Sequence, residues 1–435
     1  MPQGPRILFV PVSGRYGMGE YARSLAIAAA VNRRWPQAAI HFVLSREAPY
    51  AASTPFPATL LPSSPTFHTP EVRELVASFR PDVIVFDNAG RTAQLRAASS
   101  AGARIVYLSA RRRQRRKAFR LGWMRLIDEH WIAYPRFVAG ELRMVERLKL
   151  RMIGRPLIRF LDVILPAADA GRRERVLAQS GLAPGTFVLF VPGGGTGHPG
   201  AEDAGARFAA AADTVAAMGV PAVLVGAETE AAAAYEALRR APAGDAASRG
   251  GAAGGGAAAH EAVGGAAVGG TAVGGARAGG GAAASGGAAA GGGAAASGGA
   301  AAGGGPRSVR RSLPVVPLAD LAELMRSARI VVTNGGSTLL QAIACGAATV
   351  AVPIAGDQLE RARQCAEQGV ARVANLDAVE IAADVRALIE DESARAALAA
   401  RAAALQLADG VEVACEALAR LVERAGPAPA APRSP

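Results

Sequence analysis

Short apolar runs alternate with amphipathic stretches along most of the chain. The runs have the length and the β-branched content of buried strands, and the stretches between them have helical spacing. Strand patterns lie at residues 6–10, 39–44, 82–86, 104–108, 130–133, 187–191, 222–225, 330–333 and 348–352. Because strands that alternate with helices form parallel sheets, the pattern predicts α/β domains with doubly wound sheets.

Two segments depart from this alternation. Residues 49–70 are rich in proline and predict a long loop without regular elements. Residues 241–311 consist largely of glycine, alanine and serine with scattered arginines and few large apolar side chains. We expect this second segment to be a disordered insertion without a catalytic role, because burial there cannot offset conformational entropy. A short strand at residues 314–316 should follow it.

The chain is long enough for two domains. Its 435 residues, of which 51% are hydrophobic, can bury two substantial cores. We expect one Rossmann-like domain at residues 1–156, a second at residues 157–425 and a mobile tail at residues 426–435. Gly154 and Pro156 mark the expected hinge between the domains.

The composition and motifs of the chain indicate its cellular compartment and whether it binds a metal or cofactor. Outside the glycine-alanine segment no apolar run is long enough to span a membrane, and no signal-peptide pattern precedes the first strand. We therefore expect a cytoplasmic protein. The three cysteines lack the spacing of a disulfide framework, which agrees with a reducing compartment. Neither a D-x-D motif nor a histidine-cysteine cluster is present, so we expect neither a metal nor a cofactor.

Positive charge is in excess, with a formal net charge of +12. Such a chain suits anionic partners, among them nucleotide diphosphates, acidic lipids and nucleic acids. The densest basic run is residues 111–125, in which Phe119, Trp123 and Met124 lie among arginines. Three interpretations are open: an interfacial segment on an anionic membrane surface, a phosphate clamp, or a solvated basic face. Nucleic acid ranks last because no RNA-binding motif accompanies the run.

The candidate chemistry is concentrated after the strand pattern at residues 330–333. Asn334, Gly335 and Gly336 supply a turn that tolerates positive φ, and Ser337 or Thr338 can cap the helix that follows. A strand, a glycine turn and a helix start present free N–H groups and the positive helix end to an anion. The sequence therefore predicts a phosphate site here.

A second pair of polar residues follows the next strand pattern. Pro353 ends the run at residues 348–352, and Asp357 and Gln358 then begin another helix. Open α/β sheets place their ligands at the carboxyl ends of parallel strands. We therefore expect this pair to contact a ligand as well.

Residues 318–371 resemble the donor-binding half of GT-B glycosyltransferases of family 28, particularly the group with the lipid II-forming N-acetylglucosaminyltransferase. They are also similar to the nucleotide-sugar hydrolase of the pseudaminic acid pathway. In these enzymes a glycine turn and its helix hold the diphosphate and ribose, and an Asp-Gln pair contacts the sugar. The resemblance implies a donor site formed by Asn334, Gly335, Gly336, Ser337, Thr338, Gln341, Asp357 and Gln358. Gln341 replaces the family's glutamate, so the implied ribose contact is altered.

The N-terminal loop is similar to the same enzymes. Their pattern G-x-G-H-x-x-R-x-x-x-L-A is approached through Gly17, Gly19 and Arg23, which the resemblance places in an acceptor-side loop. Glu20 occupies the position of the family's histidine, which serves as general base or orients the nucleophile. Glu20 is therefore the first candidate base, with a purely helix-stabilising role as the alternative. Asp87, at the carboxyl end of a strand pattern, is placed either for acceptor binding or work as a second candidate base, or for capping a helix.

A third glycine loop, at residues 192–198, resembles the interdomain loop that lies near the donor phosphates in these enzymes. It implies contacts by Gly193, Gly194 and Gly195, and His198 is either a further contact or a solvated loop residue.

The resemblance as a whole implies the GT-B fold, in which two doubly wound Rossmann-like domains face each other across a cleft. The implied activity is transfer of a hexose from a UDP-sugar donor to an unknown acceptor without a metal. Hydrolysis of a nucleotide sugar and non-catalytic nucleotide-sugar binding are the alternatives. The acceptor of the lipid II-forming enzyme is lipid-linked, and a similar acceptor would bring this protein to the inner face of the membrane.

Overall fold

The computed structural model describes residues 4–15, 18–193, 201, 203–226, 310–314 and 316–425. Within these residues, the first half of the chain supplies the strands β1 (Arg6–Pro11), β2 (Ala39–Ser45), β3 (Ala58–Leu61), β4 (Val83–Asp87), β5 (Arg104–Ser109), β6 (Glu129–Ile132) and β7 (Leu157–Phe160). Its helices are α1 (Gly19–Arg34), α2 (Thr69–Phe79), α3 (Thr92–Ser100), α4 (Arg112–Ala118), α5 (Leu121–Met124), α6 (Arg136–Ala139) and α7 (Met144–Ile153).

The second half supplies the strands β8 (Val188–Val191), β9 (Ala222–Val225), β10 (Arg311–Leu313), β11 (Ile330–Thr333), β12 (Ala348–Ala351) and β13 (Arg372–Val373). Its helices are α8 (Ala170–Ser180), α9 (Ala204–Ala217), α10 (Leu318–Ser327), α11 (Ser337–Ala344), α12 (Gly356–Glu367), α13 (Ala378–Glu390), α14 (Glu392–Ala404) and α15 (Gly410–Ala425).

The strands form two parallel sheets, both within one compact unit of the chain. The first has the strand order β3-β2-β1-β4-β5-β6-β7, and the second has the order β10-β9-β8-β11-β12-β13. The direction of winding reverses between β1 and β4 in the first sheet and between β8 and β11 in the second. The doubly wound sheets predicted from the alternation of strands and helices are thus confirmed. At each reversal the neighbouring connections diverge and leave a crevice at the carboxyl ends of the strands.

Both faces of each sheet are buried, which explains the continuous apolar runs of the strands. In β1, Ile7 and Phe9 pack into the core on one face, and Leu8 and Val10 pack into the core on the other. Strand β8 alternates in the same way between two further cores. The strands are therefore fixed on both sides, and the loops at their ends are held in defined places.

Two strands lie where the sequence pattern did not place them. β3 lies in the proline-rich segment predicted to be a loop; it is an edge strand, where flanking prolines do not interrupt a ladder. β10 ends at Leu313, before the predicted strand at residues 314–316. Pro314 and Pro317 lack the N–H groups that a sheet ladder needs, so the strand forms before Pro314 in the sequence. Apart from Arg310 and Arg311, the predicted insertion at residues 241–311 lies outside the described residues.

The chain crosses between the two sheets twice. Strand β7 pairs with β6 in the first sheet, so this sheet extends past the boundary predicted between residues 156 and 157. After α14 the chain returns, and α15 packs Ala414 and Leu418 into the core of the first sheet. The two crossing segments touch: the Gly410 N–H donates to the Val163 carbonyl at 2.9 Å. A Cβ at Gly410 would lie 2.2 Å from the Leu161 carbonyl oxygen, so only glycine fits this contact.

The basic run at residues 111–125 folds into α4 and α5, and most of its large apolar side chains are buried, whereas Leu121 is 44% exposed. Phe119, Trp123 and Met124 are buried, which corrects the interpretation in which they lie on a lipid surface. Arg115 is buried too, and it pairs with Glu146 of α7 at 2.7 Å. The other arginines of the run are exposed, so its outer face offers charge together with the single leucine side chain of Leu121. Among the described helices none is long and apolar enough to cross a membrane.

Candidate active site

The carboxyl ends of the two sheets line one cleft that holds a cavity of about 470 Å³. The first wall is formed by the start of α1 and by the residues that follow β5 and β6. The second wall is formed by the residues that follow β8, β11 and β12, and the crossing segment at residues 162–164 also lines the cavity. The crevices of both sheets therefore open into the same space, where α/β sheets place their ligands.

Asp87 and Arg23 form a buried ion pair behind the first wall. Asp87 ends β4 and has no exposed surface. The Arg23 guanidinium donates from Nε to Asp87 Oδ2 at 2.6 Å and from Nη2 to Oδ1 at 2.5 Å. Burial raises the pKa of Asp87 to about 7, although Arg23 favours the ionised form. Of the two residues, Arg23 is the one that lines the cleft.

Glu20 is the carboxylate of the first wall that faces the cleft. It lies in the first turn of α1 and keeps 20% of its side-chain exposure. Asn88 holds it in place: its Nδ2 donates to Glu20 Oε1 at 2.8 Å, and its Oδ1 accepts from the Ala110 N–H at 3.0 Å. Asn88 has a φ of 53°, in the left-handed region that asparagine tolerates better than most residues. Arg23 Nη2 lies 3.7 Å from the same Glu20 oxygen.

These neighbours keep Glu20 ionised. Burial by itself raises the pKa of Glu20, but the Arg23 guanidinium and the hydrogen bond from Asn88 act in the opposite direction. Their combined effect lowers the pKa below the ordinary value of 4.5. At neutral pH the side chain is therefore a carboxylate that can accept a proton.

Close approach of other atoms explains both glycines of the turn at residues 334–336: main chain at Gly335 and the Asn334 side chain at Gly336. A Cβ at Gly335 would lie 2.6 Å from the carbonyl oxygen of Gln358, and one at Gly336 would lie 2.8 Å from Asn334 Oδ1. Asn334 Oδ1 accepts from the Gly336 N–H at 2.9 Å, and its Nδ2 donates to the Pro192 carbonyl at 2.8 Å. The turn is thus tied to the loop after β8.

Helix α11 begins at Ser337, and the residue before it is Gly336, without a side-chain cap. This corrects the prediction that Ser337 or Thr338 caps the helix. The Ser337 hydroxyl instead lies 3.2 Å from the Tyr134 hydroxyl on the first wall. The first N–H groups of a helix have no partner within it, and Ser337 and Thr338 line the cleft. Together with the helix dipole, they form a backbone arrangement that suits an anion.

Gln341 lies one turn further along α11 and also lines the cleft. Its Nε2 donates to the Ile164 carbonyl in the crossing segment at 3.0 Å. A glutamate cannot donate at this position, and its charge would lie against a carbonyl oxygen. This contact gives a physical reason for glutamine, and its Oε1 is left to accept from a ligand hydroxyl.

The Asp-Gln pair lies at the start of α12, where the sequence placed it. Asp357 has a side chain that is 55% exposed at the rim of the cleft. Gln358 Oε1 accepts from the Ile354 N–H at 3.0 Å, which leaves the two amide N–H groups of its side chain toward the cavity.

Sequence reasoning missed two residues that connect the walls. Arg361, one turn after Asp357, is buried and donates to the Gly335 carbonyl. Its guanidinium lies 4.6 Å from the centre of the Tyr134 ring on the opposite wall. Two signals could have found them: Arg361 shares a helix face with Asp357, and Tyr134 follows a strand of the parallel sheet.

The remaining predicted residues are glycines of the loops. Gly19 lines the cleft beside Glu20, and Gly193 lies next to Asn334. Outside the described residues lie Gly17, Gly194, Gly195 and His198. In the part of the chain that the structure describes, no three histidine, cysteine, aspartate or glutamate side chains are grouped to hold a metal ion.

Two Rossmann-like sheets that face each other across one cleft give the chain a GT-B-like fold. Solved structures share it: a UDP-glucosyltransferase from Polygonum tinctorium superposes with a TM-score of 0.57 at 12% identity, covering 97% of this chain and 99% of that one. A spinosyn forosaminyltransferase superposes with a TM-score of 0.55 at 12% identity, covering 97% and 99%. A putative UDP-N-acetylglucosamine 2-epimerase from Listeria monocytogenes has a TM-score of 0.50 at 11% identity, covering 97% and 96%.

At these identities the similarity establishes the fold and leaves the particular family open. No protein-family model and no curated protein sequence matches the chain. The predicted GT-B fold is confirmed, whereas the resemblance to the lipid II-forming enzyme or to the nucleotide-sugar hydrolase stays a prediction.

Proposed function

We propose that the protein transfers a hexose from a UDP-sugar to an acceptor bound at the first wall. The observation that best supports this proposal is that Glu20 and the start of α11 line the same cavity. A base for the acceptor and an array of N–H groups for the leaving diphosphate are what sugar transfer without a metal requires.

The donor binds along the second wall in this proposal. Its diphosphate lies at the N–H groups of Ser337 and Thr338, where the helix dipole favours negative charge. Gln341 Oε1 accepts a hydrogen bond from a ribose hydroxyl, and Asp357 and Gln358 bind the hexose. As the glycosidic bond breaks, charge grows on the UDP oxygens, and these preorganised donors stabilise it.

Glu20 acts as the base on the opposite side of the cleft. It takes the proton of the acceptor hydroxyl as that oxygen attacks the sugar carbon. Asn88 and Arg23 fix its position, and Asp87 acts through Arg23 without touching the substrate. Among the proteins of similar structure, the Polygonum enzyme is a UDP-glucosyltransferase capable of glucosylating indoxyl, and this supports the proposal of a UDP-sugar as donor.

A donor screen that records both sugar transfer and free-sugar release tests the proposal. Each nucleotide sugar is incubated with the protein and a mixture of hydroxyl-bearing acceptors. Transfer from a UDP-sugar above the rate of free-sugar release is the expected result. Free sugar without transfer would favour hydrolysis, and UDP-sugar binding without turnover would favour a non-catalytic binding protein.

A further inference from the structure

A second cavity opens beside the cleft, between the residues that follow β5 and β6 on the first wall and α12 on the second. It measures about 280 Å³, and Arg111, Tyr134 and Arg361 line both cavities. Ile132 and Val138 give it an apolar inner wall. We call this space the side chamber. Its size is close to the lower end of small-molecule pockets, which measure about 300–1,000 Å³.

Of the arginines around the side chamber, some have hydrogen-bond partners within the protein and others do not. Arg115 is fully engaged by Glu146 and by the main-chain carbonyls of residues 139–141. Arg112 Nη2 and Glu360 Oε1 are 3.9 Å apart, which is too far for a hydrogen bond. Arg111 has no carboxylate within 4.0 Å among the residues that the structure describes. The exposed guanidinium groups of Arg111 and Arg112 are therefore both left for a ligand.

Two buried polar atoms at the side chamber also lack a partner in the described structure. They are Nε of Arg361 and Oε1 of Gln364. Arg361 is only 6% exposed, and its other contacts are the Gly335 carbonyl, the face of Tyr134 and the Asp357 carboxylate, with Nη2 and Oδ2 3.8 Å apart. A buried donor without a partner is costly, so a ligand group that accepts from Arg361 would be stabilised there.

We propose that the side chamber binds the acceptor, and that this acceptor carries an anionic group, a carboxylate or a phosphate, on an apolar body. This inference rests on the proposed transfer reaction. The anionic group lies between Arg111 and Arg361, and the apolar body packs on Ile132 and Val138. The acceptor hydroxyl then faces Glu20, because Arg111 and Glu20 line the same cleft.

The donor diphosphate is the competing source of negative charge at these two arginines, so the experiment separates the two. Binding of 4-hydroxybenzoate is measured by NMR titration of the full chain and compared with its neutral analogue 4-hydroxybenzamide and with 4-hydroxyphenyl phosphate. Each titration is repeated with saturating UDP. We expect both anions to bind about tenfold tighter than the amide, since charge-assisted hydrogen bonds are the strong ones. UDP should not displace them.

Substitutions locate the effect. Arg111→Gln should remove most of the preference for the anions, and Arg113→Gln should keep it, because Arg113 is exposed in the same run and lines neither cavity. Equal binding of 4-hydroxybenzoate and 4-hydroxybenzamide would overturn the inference, and so would displacement of the anions by UDP. In either case UDP binding and the transfer proposal would still stand. Failure of UDP to bind, with the preference for anions intact, would count against the transfer proposal and leave the anion site supported.

Discussion

The two walls of the cleft are built in different ways. The turn at residues 334–336 depends on close packing around its main chain, since its glycines leave no room for a Cβ and the helix after it offers N–H groups. The first wall is shaped by side chains, with Glu20 held by Asn88 and Arg23, and Arg23 held by Asp87. We infer that the second wall is sensitive to added volume and the first wall to altered charge.

Removing the charge of Glu20 should have the largest effect. Glu20→Gln keeps the shape and the hydrogen bond to Asn88 but removes the base. General base catalysis contributes about 10²–10⁴-fold, so kcat should fall by that order while UDP affinity stays nearly constant. Steady-state kinetics and UDP calorimetry on the folded variant measure both. Full turnover in Glu20→Gln, combined with its loss in Asp87→Asn, would make Asp87 the base instead.

The pH profile gives an independent check of the same assignment. A base must be deprotonated to work, so kcat/KM falls as the pH drops through its pKa. With Glu20 as the base, the fall comes below pH 4.5, because its pKa is lowered from that value. With Asp87 as the base, the fall would come at about pH 7.

Breaking the buried pair should cost stability. Asp87→Asn leaves the Arg23 guanidinium buried without its carboxylate, and removal of one partner from such a pair costs about 3–5 kcal/mol of unfolding free energy. Urea unfolding measures this loss. The matched control is the double substitution Asp87→Leu with Arg23→Met, which removes both charges and should recover much of the stability. A single Asp87→Asn variant as stable as the parent would contradict a supporting role for the pair.

Adding volume to the second wall should weaken donor binding. Gly336→Val places side-chain atoms against Asn334 and shifts the N–H groups of α11. Overpacking of this kind costs about 1–3 kcal/mol, and where that cost falls on the UDP-bound state UDP should bind about 5- to 150-fold more weakly. Gly356→Ala is the control, because a Cβ there meets no atom within 4 Å. Unchanged UDP affinity in a folded Gly336→Val variant would place the donor elsewhere.

The smallest effect concerns the basic run at residues 111–125. With Phe119 and Trp123 buried, the run offers an anionic membrane its charge and one exposed apolar side chain, Leu121. We expect weak binding to vesicles with acidic lipid, lost in high salt and absent with neutral lipid, because exposed charges are screened. Vesicle sedimentation with Arg113→Glu and Arg116→Glu together measures the contribution of the run. Salt-resistant binding would point to another surface.

The sheets could be predicted because strands buried on both faces leave continuous apolar runs, as in β1 and β11. The glycine turn and Asp357 were found because they follow such runs at the carboxyl ends of parallel strands. Contacts between residues far apart in the sequence could not be predicted, because no local sequence pattern indicates them. The hydrogen bond from Gln341 to Ile164 joins residues 177 positions apart, and the Tyr134 hydroxyl meets Ser337 across 203 positions.

The basic run shows a second limit of sequence reasoning. Its arginines and aromatic residues alternate closely, and composition alone does not say which of them face the core. The fold decides this by packing Trp123 against the buried ring of Tyr107, 5.3 Å away between ring centres. β3 was missed for a related reason, since an edge strand needs only one partner and carries a weaker pattern.

The double crossing of the chain bears on how the protein can be divided. We call each sheet together with the helices that cover it a lobe. Because α15 covers the core of the first sheet, the first lobe is not a continuous stretch of sequence, whereas the second lobe spans residues 170–404. A fragment that stops after β7 lacks α15 and would expose the apolar surface against which Ala414 and Leu418 pack. A fragment that starts at α8 would contain α15, but it would lack the surface that α15 covers. Split-protein complementation by a single cut between the lobes should therefore yield aggregating halves, and a soluble first lobe requires α15 supplied as a separate peptide.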